Sequence, residues 1–401
     1  MNAVSSHLDA TTRSTLRLLS LTGFCSMAAM RVCDPMLVSL AREFGTGLGD
    51  ASSVVSAFAV AYGMLQLFYG PLGDRIGKLR VIGIAASGCA LINGLTALAP
   101  DFGFLVLARA AAGAMAAGII PLAMAWVGDQ VPYEHRQETL ARIMSATVSG
   151  MMVGQWFGGL AAEQLGWRSA FAVLCVLFTT ASSLLWLKAA PARACEQRNP
   201  SASLLAQAQA SLSLLSLPRV RWVLRMVALE GALVYGTLAF VPSQLAQRFG
   251  LSPASAGAVM MLFGAGGLLY SQFARRWLSA LGEKGLALLG GMLFAVGLLV
   301  WAWSREPLLG AAACVFSGLG FYMLHNTMQT QATQMAPQAR GSGVALFASL
   351  LFFGQSAGVL LVASRVDEGS LSATFSAVAA AIALLGWVIS RQLRPRETAS
   401  H

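Results

Sequence analysis

The amino-acid sequence predicts an all-α membrane protein of twelve transmembrane helices, arranged as two six-helix bundles related by pseudo-symmetry. Three observations predict it. The chain is 56% hydrophobic and only 11% charged, with a mean hydropathy of +0.66, whereas a soluble domain carries about 25% charged residues. Twelve apolar segments have the length needed to cross a bilayer. Finally, sequence features of the first half recur about 200 residues later in the second.

In the first half the segments fall at 17–40, 51–71, 81–99, 104–127, 140–161 and 168–188. In the second they fall at 219–241, 254–274, 285–303, 307–329, 342–363 and 371–390. Forty-one glycines suit helices that pack closely in lipid. The net charge of +10 forms no nucleic-acid face, because the cations sit in the loops between apolar segments. Of the 27 Lys and Arg residues, only Arg42, Arg168, Arg248, Arg305 and Arg365 fall in one set of loops, and Arg31 and Arg109 fall within segments. The rest lie on the opposite face, which the positive-inside bias makes cytoplasmic, with both termini. The first sixteen residues carry no short apolar core before a cleavage site, so the first segment itself is expected to direct insertion.

The longest polar stretch, Lys188 to Pro218, contains Pro191, Pro200 and a Ser/Ala/Gln-rich run. It divides the chain into a bundle at 1–188, a cytoplasmic linker at 189–218 and a second bundle with a short tail at 219–401. The halves echo each other. Gly154-Gln155-x-x-Gly158 returns as Gly354-Gln355-x-x-Gly358, and Arg42-Glu43-Phe44-Gly45 is matched by Gln247-Arg248-Phe249-Gly250. Parallel repeats about an axis along the membrane normal are one way transporters are built.

Between the second and third segments lies Gly70-Pro71-Leu72-Gly73-Asp74-Arg75-Ile76-Gly77-Lys78-Leu79-Arg80. So short a turn joins neighbouring spans, and its cations mark the cytoplasmic face. Gly70 and Gly73 allow a close approach at the end of the second helix, and Gly77 permits a positive φ. The spacing G-x-x-x-D-R-x-G-K-x-R resembles the loop between the second and third helices of major facilitator superfamily transporters. The resemblance covers essentially the whole chain and is closest to the twelve-helix drug-and-metabolite proton antiporters. It implies the mechanism more strongly than the cargo.

In that superfamily this loop packs near the cytoplasmic start of the eleventh helix, here Gly341-Ser342-Gly343. Unpaired N–H groups there suit the carboxylate of Asp74, so Asp74, helped by Arg75, is expected to latch the outward-facing state. The corresponding stretch of the second half, Ser271 to Lys284, keeps Arg275 and Arg276 but lacks the acid at that place. The fifth segment carries Gly150-x-x-x-Gly154-Gln155-x-x-Gly158-Gly159, similar to the antiporter signature of the superfamily. Gln155 departs from it by standing where proline is usual, which puts the expected kink in doubt. The fourth carries Leu105-x-x-x-Arg109-x-x-x-Gly113, which resembles the basic motif of that helix.

Charges inside a bilayer are costly unless paired or wet. Arg31 and Asp34 are three apart, so they share a helix face. The resemblance places the first and fourth helices along a central cavity, so Arg31, Asp34 and Arg109 are expected to form a polar cluster facing it. Asp34 is then a proton-site candidate whose neighbouring arginines oppose protonation until one leaves. Glu230, mid-way along the seventh segment with no base within a helical turn, is the second candidate. The tenth segment ends in His325-Asn326-Thr327-x-Gln329-Thr330-Gln331, a polar run that either contacts substrate near the inner mouth or simply reaches the surface. Tyr235, with Tyr62, Trp156, Phe321 and Tyr322, is an aromatic cavity candidate, although such residues more often serve packing.

These residues point to a secondary transporter that exports a small amphiphilic drug or metabolite in exchange for protons. A proton-coupled uptake symporter, or an exporter of a sugar, siderophore or other metabolite, is the alternative. The sequence contains no G-x-x-x-x-G-K-[ST], so ATP is not the expected energy source. No cofactor or metal is expected: the six cysteines show no paired or ligand spacing and read as small core residues. An enzyme would need a convergent catalytic set, which His7, His135, His325 and His401 do not give, and a sensor would need a soluble output domain. The expected partners are a small-molecule substrate, protons and the lipid bilayer, with a monomer as the default. The expected location is the inner (plasma) membrane of a bacterium.

Overall fold

The computed structural model is built of helices joined by short turns, with no strand among its described residues, which are 9–194, 196, 209, 211–366, 369 and 371–393. Each of the twelve apolar segments falls on helix. The helices are α1 (Ala10–Arg31), α2 (Leu37–Phe44), α3 (Ser53–Ile76), α4 (Lys78–Ala97), α5 (Phe102–Ala116), α6 (Ile119–Gln130), α7 (Tyr133–Leu160) and α8 (Trp167–Lys188). The second half contributes α9 (Pro218–Glu230), α10 (Val241–Phe249), α11 (Pro253–Trp303), α12 (Pro307–Gln334), α13 (Arg340–Val366) and α14 (Leu371–Gln392).

Among the described residues, ten helical stretches are long and apolar enough to cross a membrane. Two details reconcile ten with the twelve segments of the sequence. The 51 residues of α11 break at Gly282, with φ 63° and ψ 176°. A straight helix of that length would run about 76 Å, more than twice a bilayer core, so α11 covers the eighth and ninth segments. The fifth segment, on α7, is long enough, but its glycines, serines and Gln155 dilute its apolarity.

Positive-φ glycines punctuate both halves at matching places. Gly45 ends α2 and Gly250 ends α10 in the left-handed conformation, at φ 64° and 66°. Gly77 turns the hairpin between α3 and α4 at φ 103°, as Gly282 does within α11. Small residues then set the helix spacing. A Cβ on Gly150, Gly154 or Gly158 of α7 would strike the carbonyls of Phe24, Ala28 or Val32. In the second half, Gly354 and Gly358 of α13 stand in the same way against Ala228 and Ala232. Backbone-to-backbone packing of this kind needs glycine at every fourth residue.

Three membrane crossings are interrupted where the sequence reads as continuous. The first stops at Arg31 and resumes at Leu37 after a 3₁₀ turn, Asp34–Met36, that contains Pro35. The fourth breaks between α5 and α6. The seventh widens into a π-helical turn, Gly231–Tyr235, directly after Glu230. Proline removes a helix donor, and π-turns recur at functional positions.

The seam between the halves is formed by α3 against α13 and by α7 against α11. It is closed on the face opposite the charged hairpin, termed here the far face. There Gly159 abuts Pro253, and the Ala254 N–H donates to Glu163 Oε2 at 2.9 Å. Mid-depth contacts include Tyr62 on Phe352, 4.4 Å between centroids, and Gly257 under the Gln155 backbone. Towards the hairpin face, Ala141, Met144 and Ser145 of α7 and Phe273 of α11 are exposed instead. Residues 197–208 of the 189–218 segment lie outside the described residues. Glu196, within the same segment, accepts from the Leu79 N–H at 2.9 Å.

Candidate functional site

The interrupted first and seventh crossings carry the intramembrane charges, and the seam brings them together. Arg31 Nη1 donates to Asp34 Oδ2 at 3.2 Å, with both side chains fully buried. Gln155 Nε2, from α7, lies 3.4 Å from the same oxygen. Asp34 Oδ1 is also buried and has no hydrogen-bond partner. The guanidinium of Arg31 then crosses the seam and lies over the ring of Tyr235, 4.4 Å from its centroid, a cation–π contact strengthened by desolvation.

Aromatic rings continue from there through the second half. Tyr235 meets Phe321 edge-on at 5.2 Å, and Phe321 stacks on His325 at 5.0 Å. His325 Nδ1 lies 3.3 Å from Glu230 Oε1, though not in hydrogen-bond geometry. Both Glu230 oxygens are buried without a donor. Two buried carboxylates, one from each half, are thus joined through an arginine, a histidine and the rings between them. A buried carboxylate short of donors is costly to keep charged.

Arg109 departs from the expected cluster. Its Nη1 donates to the Ala29 carbonyl at 3.0 Å and its Nε to the Val54 carbonyl at 3.3 Å, and its guanidinium lies 4.4 Å from the Phe58 ring centroid. A rigid fork can bridge two helices through carbonyl oxygens. That makes Arg109, fully buried, a clamp between the first two crossings, while its charge is still felt by Asp34 and its Nη2 has no hydrogen-bond partner.

The polar run on α12 divides. His325 belongs to the site, Asn326 hydrogen-bonds the Tyr270 hydroxyl, and Gln329 is half-buried near the hairpin face. Gln331 accepts from Arg219 and donates to Glu283 Oε2 at 2.8 Å. The second half therefore does hold an acid at its hairpin, placed just after the Gly282 break instead of before it.

In the first hairpin Lys78 Nζ pairs with Asp74 at 3.0 Å and Asp129 at 2.7 Å. Asp74 stays in its own turn in this far-face-closed arrangement, and Gly341 at the start of α13 stands in open space. Gly73 is packed against Leu122, whereas Gly70 is exposed with nothing near it. Arg75 and Arg80 are exposed.

One group that the sequence reading did not single out is Glu163. Hydrogen bonds from the Ser252 hydroxyl and the Ala254 N–H hold its carboxyl below the usual carboxylate range. It caps the first turn of α11 from across the seam. The pairing of Glu230 with His325 was also beyond the sequence, since 95 residues of chain separate them.

The sequence profile of the Major Facilitator Superfamily matches residues 19–359. The chain belongs to the Major Facilitator Superfamily. Within it, the chain is 26% identical over 383 residues to the transporter YgaY of Escherichia coli O157:H7, covering 92% of this chain and 94% of that one. Two further relatives are matched over less than half of their own length. The MFS-type transporter YybF of Bacillus subtilis is 26% identical over 43% of this chain and 42% of its own. The voltage-gated purine nucleotide uniporter SLC17A9 of Mus musculus is 29% identical over 41% of this chain and 36% of its own. Among solved structures, a point mutant of the nucleoside transporter NupG superposes with a TM-score of 0.76 at 13% identity, over 94% of this chain and 98% of that one. That likeness shows the superfamily fold. The protein is accordingly a multi-span secondary transporter of the membrane.

Proposed function

We propose that this transporter exports a small amphiphilic compound in exchange for protons, with the hairpin face and both termini in the cytoplasm of a bacterial cell. The observation that carries this reading is the pair of buried carboxylates, Asp34 and Glu230, one on each half and each short of hydrogen-bond donors. Such an acid is stable when a proton neutralises it or when a cation sits beside it. Arg31 and the imidazole of His325 are the basic groups within reach, and both lie at the seam, where alternating access changes their surroundings.

On this reading, with the hairpin face inside, the far-face-closed arrangement is taken as the inward-facing one. Arg31 and Gln155 both reach one oxygen of Asp34 there while the other oxygen has no partner, and we read this as the arrangement in which its proton is exchanged with the cytoplasm. Substrate leaves by the opposite movement, once the hairpin face has closed and Asp74 has reached the first turn of α13. The uptake alternative reverses the pairing, with proton and substrate bound together.

Inverted membrane vesicles carrying an imposed proton gradient provide the test. Candidate compounds are added to vesicles bearing wild type, Asp34→Asn or Glu230→Gln. Export by antiport predicts a substrate-dependent loss of the gradient that one of the substitutions abolishes. If no compound dissipates the gradient and both variants match wild type, antiport is refuted in favour of uptake or an uncoupled facilitator.

A further inference from the structure

We propose that Gln155 is a positioning residue that ties the charge on Asp34 to closure of the far face. This inference rests on the reading of Asp34 as a proton site. Gln155 stands where the antiporter signature has proline, and it occupies two contacts at once. Its side-chain amide lies 3.4 Å from Asp34 Oδ2. Its backbone carbonyl lies against α11, where a Cβ on Gly257 would come within 2.5 Å of it. Gly154 and Gly158 are seated on the Ala28 and Val32 backbone, so the backbone of Gln155 has a fixed register relative to Asp34. The side chain is buried.

Donors to a carboxylate are about twice as strong as donors to its neutral form. α7 stays beside Asp34 in every state, and closure of the far face adds α11 over the Gln155 backbone, which restricts the side chain to the rotamer that reaches Asp34. Closure and the charged form of Asp34 therefore favour each other. A proton arriving at the unpartnered Oδ1 weakens the hold of Gln155 and Arg31 on Oδ2. Around Asp34 the other titratable or charged groups are Arg31 and Cys33 on its own crossing and Arg109 on α5, and Arg31 in turn faces Tyr235 of the seventh crossing, beside Glu230. Gln155 is the uncharged donor among them that also touches the other half.

The test measures substrate-driven proton exchange in inverted vesicles across pH, for wild type, Gln155→Leu, Gln155→Met, Asp34→Asn and Gln155→Leu combined with Asp34→Asn. Both single Gln155 substitutions keep the volume and remove the donor, so two variants guard against a folding defect in one. The pH of half-maximal exchange is expected to move upward by roughly half a unit to one unit, because Asp34 keeps its proton longer. In the Asp34→Asn background, Gln155→Leu is expected to add nothing. A pH profile unmoved by both Gln155 variants, while Asp34→Asn abolishes the pH dependence, overturns the role of Gln155 alone. A profile unmoved by Asp34→Asn overturns the reading of Asp34 beneath it.

Discussion

Two glycine-to-alanine substitutions with nearly the same clash are expected to have different consequences. At Gly154 an added Cβ would lie 2.5 Å from the Ala28 carbonyl oxygen and 2.6 Å from its Cα. At Gly257 it would lie 2.5 Å from the Gln155 carbonyl oxygen and 3.1 Å from the Trp156 Cα. Carbon atoms in contact prefer about 3.5–4.0 Å, so each helix pair must part by roughly 1 Å. Overpacking of this kind costs about 1–3 kcal/mol, offset by up to about 1 kcal/mol that alanine gains over glycine in a helix. The contact made by Gly154 lies within the first half, where no transport state relieves it. That made by Gly257 spans the seam, where opening the far face removes it.

Gly154→Ala is therefore expected to lower the melting temperature in detergent. Gly257→Ala keeps its melting temperature but shifts the equilibrium towards far-face opening by about 5- to 150-fold. Spin labels at Leu98, in the turn after α4, and Leu308, in the first turn of α12, both highly exposed on the far face of opposite halves, report the opening as a longer distance by double electron–electron resonance. Gly128→Ala, with open space around it, is the neutral control. A Gly257→Ala protein that melts early with unchanged label distances would refute the reasoning.

Other outcomes follow from the charged contacts. Glu163 is held below the usual carboxylate range when the far face is closed, so its contribution is full at neutral pH and is lost as pH falls through that lowered value. Label distances at Leu98 and Leu308 should lengthen on acidification in wild type and respond less in Glu163→Gln; equal responses would remove Glu163 from the closure. Asp74→Asn should leave stability within about 1 kcal/mol, since its partner Lys78 is met at a half-exposed site. It should nevertheless raise the far-face-closed population, and an unchanged label distribution would dismiss the Asp74 latch. Arg109→Lys should lose about 1.5–3 kcal/mol by forfeiting one of two carbonyl bonds, read as a lower melting temperature; wild-type stability would show that the fork is not needed.

The membrane crossings, the hairpin and the glycine face were legible in the sequence because each is local. Apolarity over about 20 residues, a positive-φ glycine, or glycines four apart carry their physical meaning within one segment. The Arg31–Asp34 pair was legible for the same reason, being three residues apart. Pro35 was a signal for the break in the first crossing, but the π-turn after Glu230 has no such marker in the sequence.

What the sequence by itself determined is the class of molecule, its repeat and the identity of the buried charges. Only the tertiary structure decided their partners: Gln155 for Asp34, His325 for Glu230, the Ala29 and Val54 carbonyls for Arg109, and the first turn of α11 for Glu163. The physical reason is that a charge buried in a bilayer takes whichever donor or acceptor the packing brings within about 3 Å, and that packing is set by helix contacts between residues far apart in the chain.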